Sequence, residues 1–154
     1  MSRFEPEEVE AVLAHELGPH VAGDVWRGLA VQGAVTLAAF WVADRALAAG
    51  TGALGLSGPA DIAGLPLLGL VAMAVSLIAL PVTNSWSRRV ETRADDFALR
   101  LSQDPAAFIA AMERLAGLKL AERDPHFLKE LVLYSHPSMG RRIARTRNRT
   151  WPEG

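Results

Sequence analysis

The chain has 154 residues, half of them hydrophobic but only 6% aromatic, with a formal net charge of −1 and no cysteine. That length suits one domain, and a near-neutral balance without a basic face excludes a nucleic-acid partner. The missing thiols exclude disulfides and any thiolate metal site.

The first predicted element is a helix over EPEEVEAVLAHELG, residues 5–18. Pro6, Glu7 and Glu8 suit a first turn, and Val9, Val12, Leu13 and Leu17 recur at helical spacing. Residues 1–14 are acidic and lack the apolar core of a secretory signal. His15 and Glu16 therefore sit well inside a helix.

The run that follows, His-Glu-Leu-Gly-Pro-His at 15–20, departs by one residue from H-E-x-x-H. In that motif two imidazoles four residues apart, about 40° around the helix, bind one zinc while the Glu acts as general base on a water. Pro19 stands where the second imidazole belongs. His20 is one residue further, about 140° from His15 on an ordinary helix, but a π-type bulge would rotate it toward His15 as a metal ligand. A mid-helix proline also costs on the order of 3 kcal/mol.

Two apolar segments come next. Gly28 to Ala43 is uncharged and, extended by Ala46 to Ala49 past Asp44 and Arg45, reads as a first membrane span, with a tilted or buried helix as the competing reading. GTGALGLSGPADIAG at 50–64 reads as a loop. LPLLGLVAMAVSLIALPVT at 65–83 approaches the ~20 residues that cross a bilayer. Arg27 before this hairpin and Arg88 with Arg89 after it favour both outer ends on the cytoplasmic side. Trp26, Trp41 and Trp86 are candidate interfacial anchors.

In SRRVETRADDFALRL, Glu91 and Asp95 lie four apart on one helix face. A carboxylate from a distant helix suits zinc as third ligand, and Asp95 can hold a ligating imidazole by its other nitrogen. The plain alternative is a charged face shared with Arg88, Arg89, Arg93 and Arg100. Phe97, Leu101, Phe108, Met112 and Leu115 continue a helical pattern, with Asp104 as cap and Pro105 opening a new helix. Little is left for a sheet, so the fold class is mainly α.

The last motif, YSHPSMGRRIA, offers His136 and Arg142 as groups that steady an oxyanion, with Ser135 favoured over Ser138 as a helix cap. The cationic end RRIARTRNR at 141–149 is expected to meet an acidic membrane surface or solvent.

Three motifs in order, EPEEVEAVLAHELGPHVAGD, SRRVETRADDFAL and YSHPSMGRRIA, with two apolar segments between the first and second, resemble the membrane-embedded zinc metalloproteases of the CAAX prenyl endopeptidase family. The resemblance implies an integral membrane, mainly α protein that uses Zn2+. His15 would be its first ligand, Glu16 the catalytic base, Glu91 the third protein ligand and Asp95 the residue orienting His15. Members usually read HELGHH where this chain reads HELGPH, so the ligand role does not carry over to Pro19. Further membrane helices and a substrate-pairing strand would precede the first motif, which makes the chain a C-terminal portion.

The expected organisation is a single peptidase domain over 1–154: a metal-motif helix (1–25), a membrane hairpin (26–87) and a third-ligand and C-terminal helical region (88–154). Its partners are the lipid bilayer and a peptide or membrane-protein substrate, prenylated or otherwise membrane-associated, and no nucleic acid. The alternative function is a catalytically inactive protease-like membrane protein.

Overall fold

The computed structural model describes residues 4–118 and 125–149. Among them there is no strand; the elements are α1 (Pro6–Val21), α2 (Asp24–Ala53), a 3-10 turn (Ile62–Gly64), α3 (Leu65–Ser102), α4 (Pro105–Leu118), α5 (Phe127–Leu133) and α6 (Met139–Arg147). The mainly α expectation holds. Two compact units result, one from the chain up to Val25 and from Asn84 onward, the other from Trp26–Thr83.

In the first unit, α4 packs against both α1 and α6. The core gathers Ala11 and Ala14 of α1, Ala98 and Leu99 of α3, Phe108, Ala111 and Met112 of α4, and Ile143 of α6. Phe108 and Met112 are its largest fully buried side chains. Burial of each stabilises the fold by about 1.5–3 kcal/mol.

Helix α1 starts where its sequence signals say. Pro6 opens it, and the Glu8 carboxylate reaches back 2.9 Å to accept from the Glu5 backbone N–H. Glu8 is buried because it also accepts from Arg114 of α4 at 3.0 Å. The face that α1 buries is Ala11, Ala14 and Gly18, while Val9, Leu13 and Leu17 are exposed. Close approach decides this: a Cβ on Gly18 would stand 2.9 Å from the Ala94 Cα of α3, a distance only hydrogen tolerates.

Pro19 lies in the last turn of α1, not mid-helix, and the helix remains α through it. The π-type bulge expected to bring His20 round is not formed. So near the end of the helix, a missing donor disturbs one bond, and Ala22 and Gly23 close the turn onto Gly18 and His20 carbonyls.

Asp104 caps α4 by accepting from the Ala107 N–H at 2.8 Å, as expected. Ser138, rather than Ser135, caps α6 through the Arg141 N–H. The helix begins one residue after Ser138, which leaves Ser135 out of reach of its first amides. The cationic C-terminal end is partly in solvent, as one branch of the expectation has it, and is also paired within the fold. Arg141 meets Glu130, Arg142 meets Asp95, Arg145 and Arg149 meet Asp96, and Arg147 meets Glu113, so carboxylates of this same unit neutralise it. Upstream, Arg93 grips buried Asp24 with two bonds of 3.0 and 2.7 Å while lying over Trp86.

In the second unit, α2 continues through Gly50 to Ala53, so the loop is shorter than the sequence leads one to expect. Chain reversal uses Gly55 at φ 67° and Asp61, which accepts from the Ser57 N–H and hydroxyl and from the Ala63 N–H. Those three bonds hold the Asp61 carboxyl below its usual range. The Leu67 and Leu47 side chains lie against Gly50 and Gly64, and a Cβ added there would require them to shift. Asp44 and Arg45 pair with each other on the helix surface.

Residues 28–49 and 65–83 are ~33 and ~28 Å long as helices. Both helices are long and apolar enough to cross a membrane, and Leu37, Phe40, Met73 and Ile78 point outward, with exposures up to 75%. Apolar side chains unburied along such lengths fit lipid better than water.

Candidate active site

The first unit brings α1, α3 and the turn before α6 together around a cavity of about 280 Å³ lined by His15, Glu16, Glu91, His136 and Arg142, with Val12, Met112 and Leu115 as its apolar wall. An adjoining cavity of about 390 Å³ carries Arg88, Arg89, Arg141, Arg142 and Arg145 but no histidine and not Glu16. The smaller one holds the groups suited to hydrolysis.

His15 is held at both ring nitrogens. Nδ1 lies 2.9 Å from Asp95 Oδ1, and Nε2 lies 3.3 Å from Glu91 Oε2. Asp95 is in turn clasped by the Arg142 fork, Nε to Oδ2 at 2.9 Å and Nη2 to Oδ1 at 2.5 Å. Arg142 Nη2 also stands 3.4 Å from His15 Nδ1. The other oxygen of Glu91, Oε1, is 2.9 Å from His136 Nδ1. A continuous chain of contacts thus runs Arg142, Asp95, His15, Glu91, His136.

The electrostatics follow from that chain. Burial works against a charged His15 ring, but the carboxylates of Asp95 and Glu91 outweigh it and push the pKa from 6.5 up to about 9. Burial would likewise raise Glu91, yet hydrogen bonds from His136 and His15 hold its carboxyl well below the usual carboxylate range.

The structure gathers His15, Glu16, Glu91, Asp95, His136 and Arg142 in one place. It does not bring His20 there: His20 is exposed beyond Pro19 and does not line the cavity. With α1 regular to its end, a residue five positions on faces away from His15. Arg142, expected to face a substrate oxyanion, lines the cavity but turns Nε and Nη2 to Asp95 and Nη1 to Met139 Sδ, an arrangement that also holds Asp95 against His15. Arg88, grouped in the sequence with a charged face, reaches the carbonyls of Glu130, Leu131 and Tyr134 at the end of α5.

The donors suit zinc in kind. An imidazole anchored at one nitrogen by a carboxylate is the usual setting of a zinc-binding histidine, and here the other nitrogen faces a further carboxylate, Glu91. Among the described residues no three His, Cys, Asp or Glu side chains yet surround a common point. Pairs form instead, sharing Glu91.

Sequence reasoning missed Gly18, whose bare backbone sets α1 against α3, and the Glu8–Arg114 pair tying α1 to α4. A glycine inside an otherwise periodic helix was the available signal for the first; none announced the second.

Comparison with known proteins accords with this geometry. The sequence description of peptidase family M48 matches residues 1–150. The chain is 32% identical over 147 residues to the uncharacterized metalloprotease YhfN of Bacillus subtilis, covering 93% of this chain and 34% of that protein. It is 33% identical over 172 aligned positions to the protease HtpX of Pseudomonas putida, covering 97% of this chain and 55% of the relative. With the protease HtpX homolog 2 of Methanosarcina acetivorans it shares 30% over 118 residues, 77% of this chain and 39% of the relative. The chain thus spans between about a third and just over half the length of these relatives. It belongs to peptidase family M48.

Proposed function

We propose that this chain carries the hydrolytic centre of a membrane metalloendopeptidase, organised as one peptidase domain into which residues 26–87 insert a membrane hairpin. The observation that supports it best is the convergence of Glu16 with the His15–Glu91 pair on one cavity. Peptidases of this family depend on zinc. His15 through Nε2 and Glu91 through its carboxylate would hold the ion, which supplies Lewis acidity toward the scissile carbonyl and the attacking water.

The chain's own residues do the rest. Asp95 fixes the His15 ring by accepting its Nδ1–H, and Arg142 fixes Asp95. Glu16, exposed to the cavity, takes a proton from the attacking water and returns it to the leaving amine. Val12, Met112 and Leu115 give the substrate an apolar wall and lower the local polarity, which strengthens the charged interactions beside it.

The substrate class we propose is a membrane-associated polypeptide, with prenylated C-terminal peptides as its narrower form. The positive residues flanking the hairpin, Arg27, Arg88 and Arg89, support a cytoplasmic side for the site. Pro19 favours a second reading, a protease-like binding module without turnover. The two separate in one assay: zinc-loaded protein in detergent is incubated with an unstructured polypeptide, beside Glu16→Gln and Glu91→Ala. Cleavage by the parent that both substitutions abolish supports hydrolysis. Binding of the polypeptide without cleavage, alike in all three, replaces it with the second reading.

A further inference from the structure

We propose that His136, through Nδ1, supplies the imidazole donor that Pro19 cannot, so that the zinc ligands of this chain are His15, Glu91 and His136. The inference rests on the metallopeptidase reading above and goes beyond it by moving a ligand from α1 to the turn before α6.

Three observations carry it. First, position 19 has no donor atom, and His20, the nearest other imidazole on α1, does not line the cavity. Second, the shared Glu91 carboxylate already brings the two imidazoles to its two ends, His15 Nε2 at 3.3 Å and His136 Nδ1 at 2.9 Å. Donors around a tetrahedral zinc with arms of about 2.0–2.1 Å stand about 3.3 Å apart. The first contact has that separation and the second is a little short of it. The two imidazoles sit on different oxygens of Glu91, and among the described residues no three donors surround a common point, so ligation requires His136 to turn toward His15. Third, His136 stands where it can turn. The His136 side chain is 63% exposed, so little packing opposes a rotation, while Pro137 narrows the backbone choices that hold it at the cavity mouth. Two imidazoles and one carboxylate form a ligand chemistry that zinc accepts, with a fourth position open.

The alternative is that His136 and Glu91 form only an ion pair. A side chain so exposed gains about 0–1 kcal/mol from such a pair, and substituting it would leave metal affinity nearly unchanged. The two possibilities therefore differ by orders of magnitude in a binding measurement.

The test uses the full chain in detergent, titrated with zinc and separately with cobalt, for the parent and for His15→Ala, His136→Ala, His136→Cys, Pro19→His and the double variant Pro19→His/His136→Ala. The proposal expects near one zinc per parent chain, at least a hundredfold weaker binding in His136→Ala, and recovery in the double variant. It also expects a thiolate-to-metal charge-transfer band in cobalt-loaded His136→Cys, because that band requires the sulfur to be bonded to the metal. Thermal melts of metal-free His136→Ala and His136→Cys should stay close to the parent, which separates lost ligation from lost folding. If His136→Ala binds zinc as the parent does while His15→Ala does not, the ligand assignment fails and the metallopeptidase reading stands. Zinc bound only after Pro19→His likewise overturns the assignment of His136. Zinc bound by neither the parent nor Pro19→His overturns both.

Discussion

Replacing Asp95 by alanine should destabilise the metal-free protein severely. Asp95 and Arg142 side chains are 6% and 7% exposed, and the carboxylate receives both arms of the guanidinium. With the carboxylate gone, the side-chain contacts left to Arg142 are the His15 ring, Met139 Sδ and the Phe108 face, none of them an anion. A buried charge stripped of its partner costs about 3–5 kcal/mol. Arg142 borders two cavities that admit water, which places the value at the lower end, about 3 kcal/mol. At ~2–4 °C per kcal/mol for a chain of this size, the midpoint should fall by about 10 °C. Thermal melts of the parent, Asp95→Ala, Arg142→Met and the double variant give the coupling, since residues in direct contact are not additive. The double variant should lose clearly less than the two singles combined. A midpoint for Asp95→Ala within about 3 °C of the parent, or strict additivity, would refute the view that this pair anchors His15.

Further outcomes are expected of the same fold. Ser138→Ala should cost about 1 kcal/mol as a lost helix cap, whereas Ser135→Ala should stay within about 0.5 kcal/mol; paired melts decide between them. Phe108→Ala, at a site with no exposure, should cost about 3–5 kcal/mol and loosen α4 from α1 and α6 together, visible as faster amide exchange in all three. Gly18→Val should cost more than about 1 kcal/mol, because its Cβ meets the Ala94 backbone rather than a side chain that can turn away. A neutral result in a denaturant titration would mean that α1 and α3 do not approach so closely.

In chelated protein, stability should depend on pH through His15 and Glu91. The folded pKa of His15 is raised from 6.5 to about 9, so its contribution is complete below 6.5 and is lost as pH climbs through 9, about 3 kcal/mol in all. Glu91 is depressed from 4.5, so its contribution is present above that value and fades as pH falls toward the folded pKa. Stability from this pair is thus greatest between 4.5 and 6.5. Melts at several pH values should show the alkaline decline in the parent and a flatter profile in His15→Gln; equal slopes would dissociate His15 from the network.

What the sequence determined by itself is what local physics can decide. Helix periodicity, the Asp104-Pro105 start, the uncharged runs of 28–43 and 62–87, and the four-residue spacing of Glu91 and Asp95 are all written within short windows, where propensity and hydropathy act without help from distant partners. So was the lack of a donor at position 19, since a proline ring has none in any fold. The tertiary structure alone decided which of these groups meet. The face of α1 turned inward could not be read from hydrophobicity, because the large residues Leu13 and Leu17 lost to Ala14 and Gly18, and the reason is the distance between two helix backbones rather than transfer energy. The arginines of 141–149 look like a free cationic end until α3, α4 and α5 present their carboxylates, a matter of residues dozens of positions away. His136 stands 121 positions after His15 in the chain and shares a carboxylate with it in space. Only chain folding sets that proximity, because spacing in sequence carries information about contact within one helix and none across three.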